Sequence, residues 1–309
     1  MSGRRRRAPT TDGAGSPATG DAAQALVDLA QRIARVYIAR CAPRAVLLTG
    51  SVGEGLADEY SDLDVVAYYN GAIPDDVRLN GVRAKLAAEA YREPFPRNDH
   101  GCAEAYRLGG IEVEVAHFEV YETERRLSDA LDGRDPGSTE YKAVMGILRG
   151  LPLHGADLIE QWQARCAQVP DVLARSMVEH YLRQTMPLWY FADALDGRDA
   201  TLWVHQTLAT NALCVLGILA GVNRRFYSTF QFKRMRHFVA SLPIAPPNLA
   251  ERLEAIVGGD ARHGIEVLEG LVRESLELVA GHLPEANTSV LRYPPGARQQ
   301  PWHVADLDE

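Results

Sequence analysis

Cysteine is scarce in this chain, with four residues in 309: Cys41, Cys102, Cys166 and Cys214. They lie far apart and form no Cys-x-x-Cys pair or Cys/His ligand pattern. A disulfide framework and a structural zinc are therefore not expected, and a reducing compartment is. A surplus of basic charge is also missing. The formal charge is −8, the reverse of the footprint a general nucleic-acid binder carries, so nucleic acid is not the expected partner. No apolar stretch follows the N-terminal arginines, because Ala8 to Ala22 is mostly Pro, Thr, Gly, Ser and Asp; this argues against a secretory signal. The longest apolar run, Leu208 to Val222, is interrupted by Thr210 and Asn211 and falls short of a bilayer span. No internal repeat is visible. A cytoplasmic protein without a membrane partner is expected.

What is present is an ordinary globular composition, 46% hydrophobic and 24% charged, in a chain long enough for two domains. Residues 1–20 read as a disordered basic tail containing Arg4 to Arg7. Order is expected from Asp21, where a capping box precedes Leu26, Leu29, Ile33 and Val36 at helical spacing. Pro43 ends that helix. Ala45 to Thr49 reads as a strand, Gly50 to Gly55 as a glycine-rich turn, and Leu63 to Tyr69 as a second strand. A helix is expected from Pro74–Asp75 to about Glu89. Two strands follow, Ala103 to Leu108 and Ile111 to Val120, joined by Gly109-Gly110.

Beyond Val120 the pattern is helical: Glu122–Leu131, Thr139–Arg149, Asp157–Gln168, Asp171–Leu195, Thr201–Ala220, Thr229–Leu242, Pro247–Val257 and Arg262–Leu283. Strands first and helices second predict an α+β fold, a small mixed sheet followed by an all-helical bundle. The boundary is expected within 132–150, giving a catalytic domain over 21–135, a helical domain over 136–285 and a Pro-rich tail over 286–309.

The chemistry is concentrated between Leu47 and Val66. Asp62 and Asp64 stand two residues apart on a predicted strand, so their side chains share one face while Leu63, Val65 and Ala67 share the other. Neighbouring carboxylates repel, and a hard divalent cation relieves that repulsion; magnesium favours one or two carboxylates together with substrate phosphates. The Gly50-Ser51 turn suits the same purpose, since glycine lets backbone approach a phosphate and the serine adds a hydroxyl. A third carboxylate is available from Ile111 to Ala116, where Glu112 and Glu114 share a face. Three carboxylates suit a two-metal site with ions roughly 3.5–4 Å apart.

Gly50-Ser51, then Asp62-Leu63-Asp64, then Val113-Glu114-Val115 on a later strand resembles the DNA polymerase β-like nucleotidyltransferase superfamily. With its helical second half, the layout is similar to the antibiotic-modifying branch, the kanamycin and lincosamide nucleotidyltransferases in particular. The resemblance implies that Asp62, Asp64 and Glu114 ligate magnesium, two ions in all, and selects Glu114 over Glu112. It implies that Gly50 and Ser51 hold the phosphates of a nucleoside triphosphate. It also points to Glu179 as general base with Arg183 one turn on, in the role of a basic residue that meets phosphate, although an ordinary surface pair on a helix explains these two equally well. Lys233, within the basic cluster Arg224-Arg225 and Lys233 to His237, is the first choice for a further phosphate contact.

The expected reaction is transfer of a nucleoside monophosphate, with ATP as the expected donor, to a hydroxyl of a small-molecule acceptor such as an aminoglycoside-like polycation, releasing pyrophosphate. The expected site is the cleft between the domains, and some relatives of this type dimerise across that cleft. Two other readings stay open: a catalytically silent nucleotide-binding module, and transfer to a protein or tRNA end.

Overall fold

The structure is a computed structural model that describes residues 20–195 and 197–301. The Arg4–Arg7 run and the expectation of a disordered tail lie outside those residues. The chain forms two compact units: residues up to Thr123 together with Arg149–Gln161, and Glu124–Leu148 together with everything from Trp162.

The first unit opens with α1 (Gly20–Cys41), whose buried Leu26, Leu29, Ile33, Ala34, Tyr37 and Cys41 fall on one helical stripe. Next come β1 (Ala45–Thr49), the single-turn α2 (Gly50–Gly53), β2 (Leu63–Tyr69) and α3 (Asp76–Leu86). Asp75 caps α3 by accepting from the Arg78 N–H, and Ala87 closes it in the left-handed conformation. Then follow β3 (Glu89–Phe95), β4 (Gly101–Leu108), β5 (Ile111–Glu119), α4 (Val120–Leu131), α5 (Glu140–Arg149), β6 (Leu151–His154) and α6 (Ala156–Cys166).

The sheet order is β3-β4-β5-β2-β1-β6. β2 and β5 run parallel, joined by a crossover through α3, β3 and β4, and the other neighbours are antiparallel. One face is the core. Leu63, Val65, Ala67 and Tyr69 of β2 and Val113 and Val115 of β5 cluster with Ile33 and Tyr37 of α1 and Leu79 and Val82 of α3. Each such side chain, fully buried, stabilises the fold by roughly 1.5–3 kcal/mol. The alternation that sends these residues inward sends Asp64 and Glu114 to the opposite face.

Two strands are absent from the sequence reading. β3 is exposed along nearly its whole length and carries Pro94, and β6 carries Pro152. Both are edge strands, where proline and charge are tolerated because one side of the backbone needs no partner. β6 also moves the boundary. The sequence places a single cut within 132–150, with domains of 21–135 and 136–285; in the structure the chain passes between its two units three times, after Thr123, Leu148 and Gln161. Residues 124–135 go with the helices, while 149–161 return so that β6 can pair with β1.

The second unit continues with α7 (Asp171–Gln184), α8 (Leu188–Leu195), α9 (Thr201–Val222), α10 (Met235–Ala240), α11 (Leu249–Gly258) and α12 (Ala261–His282). The one helix expected over Asp171–Leu195 is two. Pro187 has no N–H to give and its ring clashes with the preceding turn, and Asn211 fills the gap by accepting from the Met186 N–H (2.9 Å) and donating to the Met186 carbonyl (2.7 Å). The helix expected over Thr229–Leu242 shortens to α10. Gln231 and Arg234 adopt positive φ there, while Phe232 and Phe238 pack against Tyr227 at ring centroid distances of 5.3 and 5.4 Å.

Among the described residues α9 alone has the length and apolarity of a membrane span, yet its second half is core. A Cβ at Gly217 would meet the Tyr181 ring at 2.2 Å, and one at Gly221 the Ala174 carbonyl at 2.8 Å, so α7 and α9 approach closely over the two glycines.

Candidate active site

The turn between β1 and β2 is built around one glycine. Gly50 has φ +64°, and a Cβ there would stand 2.0 Å from Asp64 Oδ2. Only a residue without a side chain lets the Asp64 carboxylate lie against this backbone. α2 then winds a single turn, with the Glu54 N–H donating to Gly50 O (3.0 Å) and the Leu56 N–H to Ser51 O (2.8 Å). Glu54 also pairs with Arg149 at 3.2 Å, which fastens the turn to the segment leading into β6.

The loop from Asp58 to Ser61 closes on this turn. Ser61 Oγ accepts from the Asp58 N–H (2.8 Å), donates to Asp58 Oδ1 (3.1 Å) and bonds Ser51 Oγ (3.0 Å). Asp58 Oδ1 also takes the Tyr60 N–H at 3.0 Å. Ser61 therefore anchors the Ser51 hydroxyl. The sequence reading passed over it, though its place beside Asp62 in the motif is a usable signal.

Asp62 stands exposed just before β2, and Asp64 is the strand's second residue. In the parallel ladder Asp64 is the register partner of Glu114, and on its other side it pairs with Thr49. Parallel neighbours lie about 4.8 Å apart across the hydrogen-bonding direction, so β2 and β5 present two acidic residues side by side, and Asp62 stands in the loop that enters β2. Glu112 is differently engaged, paired with Arg92 of β3.

The side chains are not gathered into a ligand cage: among the described residues no group of three or more His, Cys, Asp and Glu is placed to hold an ion. The donor set fits magnesium. Two carboxylates in register and a third two residues along the chain are the hard oxygen donors such a cation prefers.

No protein-family model matches the chain, and no curated protein does. Solved structures do. The chain is similar to a nucleotidyltransferase-like protein from Exiguobacterium sibiricum, at 15% identity over 92% of this chain and 84% of that one, with a TM-score of 0.36. It is similar to the Cid1 poly(U) polymerase at 11% identity, over 83% and 68% of the two chains, with a TM-score of 0.31. For the CdnC protein of E. coli MS115-1 the identity is 12%, the coverage 88% and 90%, and the TM-score 0.28.

The remaining candidates belong to the second unit and are described within it. Glu179 on α7 accepts the Asn287 N–H at 3.0 Å, and Arg183, one turn on, is exposed. Lys233 is exposed in the segment before α10. Two members of the surrounding basic cluster are ion-paired: Arg224 holds Asp171 at 2.8 Å, and Arg236 binds Glu251 and Glu254 at 2.7 and 2.6 Å. Trp189 is buried and donates to the Pro294 carbonyl at 3.1 Å, a packing role.

Behind the site, on the core face, sits a buried polar network. Glu104 of β4 accepts from the Tyr37 hydroxyl and from Arg83, and its Oε1 lies 3.2 Å from His117 Nε2, while His117 Nδ1 is 3.1 Å from the Tyr69 hydroxyl. Burial opposes the charge on Glu104, but the hydrogen bond and charge of His117, the Tyr37 hydroxyl and Arg83 outweigh it, so its carboxyl titrates below the ordinary range.

Two recesses flank the sheet edges, about 260 Å³ beside Arg35 and Leu153 and about 300 Å³ beside Arg92 and Tyr106. Neither is lined by Asp62, Asp64 or Glu114.

Proposed function

We propose that the chain is a magnesium-dependent nucleotidyltransferase that moves a nucleoside monophosphate from a nucleoside triphosphate, ATP in the first instance, to a hydroxyl of a small acceptor. The carrying observation is the register of Asp64 beside Glu114 across the parallel pair β2–β5, with the Asp64 carboxylate seated against the side-chain-free Cα of Gly50. Asp62, Asp64 and Glu114 would hold the metal, which supplies charge neutralisation for the triphosphate and acidifies a nearby hydroxyl; a pair of ions fits three carboxylates. Amides of the Gly50–Ser51 turn and the Ser51 hydroxyl hold phosphate oxygens.

The acceptor oxygen forms a bond to the α-phosphorus as the bond from that phosphorus to the bridging oxygen breaks. Pyrophosphate leaves, and the acceptor's proton passes to a side-chain base. Glu179 is the base suggested by the family resemblance, with Arg183 and Lys233 as phosphate contacts. The net charge of −8 and the ion pairing of Arg224 and Arg236 favour a small cationic acceptor of the aminoglycoside kind over a nucleic acid.

Incubation with magnesium and α-labelled ATP in the presence of an aminoglycoside panel, an RNA oligonucleotide and a cell lysate tests this reading. Label should enter an aminoglycoside and be absent with Asp64→Asn. Label in RNA or protein would replace the acceptor class. Tight ATP binding with no pyrophosphate released under any condition would make the chain a silent nucleotide-binding module.

A further inference from the structure

The loop that carries Ser61 also carries an aromatic ring with no evident structural task. Tyr60 is 89% exposed, the most exposed of the large apolar and aromatic side chains in the described residues. Other exposed rings of the same unit differ from it: Tyr91 lies under the Arg83 guanidinium at 4.0 Å and is half-buried by comparison at 52%, and Tyr121 stands on a helix.

An exposed aromatic ring contributes little to stability. The Tyr60 backbone is fixed. Its N–H is held by Asp58 Oδ1 at 3.0 Å, and the same carboxylate oxygen binds Ser61 Oγ at 3.1 Å. Ser61 Oγ in turn bonds Ser51 Oγ at 3.0 Å, in the turn assigned to phosphate, and Asp62 is two residues from Tyr60. A short chain of hydrogen bonds thus ties the ring's backbone to the hydroxyl that would meet the triphosphate.

We propose that Tyr60 is a stacking surface for the base of the nucleoside triphosphate whose phosphates lie at Gly50–Ser51. The inference rests on the nucleotide-binding reading of that turn. Every nucleobase has a flat π-face, and a planar side chain whose backbone is tied to the Ser51 turn offers it contact at the cost of ordering only two side-chain torsions. Stacking of this kind tolerates any base, so Tyr60 strengthens nucleotide binding without selecting among bases.

The test is isothermal titration of the full chain, wild type, Tyr60→Ala and Tyr60→Phe, with a non-hydrolysable ATP analogue and, separately, with inorganic tripolyphosphate, both with magnesium. Tyr60→Ala should weaken the analogue about tenfold, the scale of one lost stacking contact, and Tyr60→Phe should stay within twofold of wild type. Tripolyphosphate, which has no ring, should bind all three proteins equally, and their thermal midpoints should coincide because the side chain is in solvent. Unchanged analogue affinity in Tyr60→Ala overturns the proposal, and so does an equal loss for analogue and tripolyphosphate, which would make the loop rather than the ring responsible. Wild-type protein that binds neither ligand would instead remove the nucleotide-binding reading beneath it.

Discussion

At Gly50 the geometry of the turn depends on one missing methyl group. Its φ of +64° already disfavours any side chain, and the space a Cβ needs is held by Asp64 Oδ2 at 2.0 Å. Gly50→Ala should cost about 1–2 kcal/mol from backbone conformation alone, with more from displacing the carboxylate, and chemical denaturation reads the loss. Pyrophosphate release should fall further than stability does, because the displaced group is the one assigned to the metal. The thiols make a second residue-scale prediction. All four cysteines are buried, and burial pushes Cys41, Cys102 and Cys214 up to about 11. Few thiolates exist at pH 8, so iodoacetamide should label the folded chain slowly and the denatured chain at all four positions; rapid labelling of the native protein would contradict the packing. The sequence made the turn glycine Gly50 and the strand position of Asp64 legible because motif spacing sets them on successive elements. It could not make the engagement of Glu112 legible, since the Arg92 that pairs with it lies on a strand whose exposed, proline-bearing pattern does not announce itself.

Between elements, polar side chains decide geometry that hydrophobic pattern leaves open. Asn211 is wholly buried and satisfies both backbone groups of Met186 at the break between α7 and α8. Asn211→Leu should leave the Met186 N–H unpaired, its carbonyl keeping the Leu188 N–H at 2.8 Å, and cost about 1–3 kcal/mol, seen as a lower thermal midpoint. The helical periodicity from Asp171 to Leu195 ran straight through this break; Pro187 was the signal that outweighed it. Across the sheet, Glu104 links α1, α3, β4 and β5 through Tyr37, Arg83 and His117. Removing one partner of a buried charged network typically costs roughly 3–5 kcal/mol, the loss expected for Glu104→Ala. Its carboxyl is depressed in the folded chain, so the stability it contributes is present above the unfolded carboxylate range and is lost as pH falls through the folded value. Unfolding free energy of the wild type should therefore drop below about pH 4.3, the ordinary glutamate value, and Glu104→Gln should show a shallower drop. Equal pH dependence in the two proteins would mean that the network is not what titrates.

For the whole chain, strand-first and helix-second order conveyed the fold class, but not that the chain returns to its first unit. β6 is four residues with a proline, too short and too broken to register as a strand, and only its pairing with β1 reveals it. The C-terminal segment was similarly under-read. Glu269, nearly buried, binds Arg298 at 2.8 Å and the Gly296 N–H at 2.7 Å, while Tyr293 stacks on Tyr190 at 3.8 Å. This Pro-rich stretch is strapped to α8 and α12, and limited proteolysis should spare residues 284–300 in the wild type but cleave there in Glu269→Ala.

The central claim concerns Asp62, Asp64 and Glu114 acting together on one cation and one triphosphate. Its most direct test is the affinity of a non-hydrolysable ATP analogue as a function of magnesium, for wild type and for Asp64→Asn. The account predicts tight binding by the wild type only when magnesium is present, and at least a tenfold weaker, nearly magnesium-independent interaction in the variant. Equal affinity in the two proteins, or wild-type binding indifferent to magnesium, would contradict it.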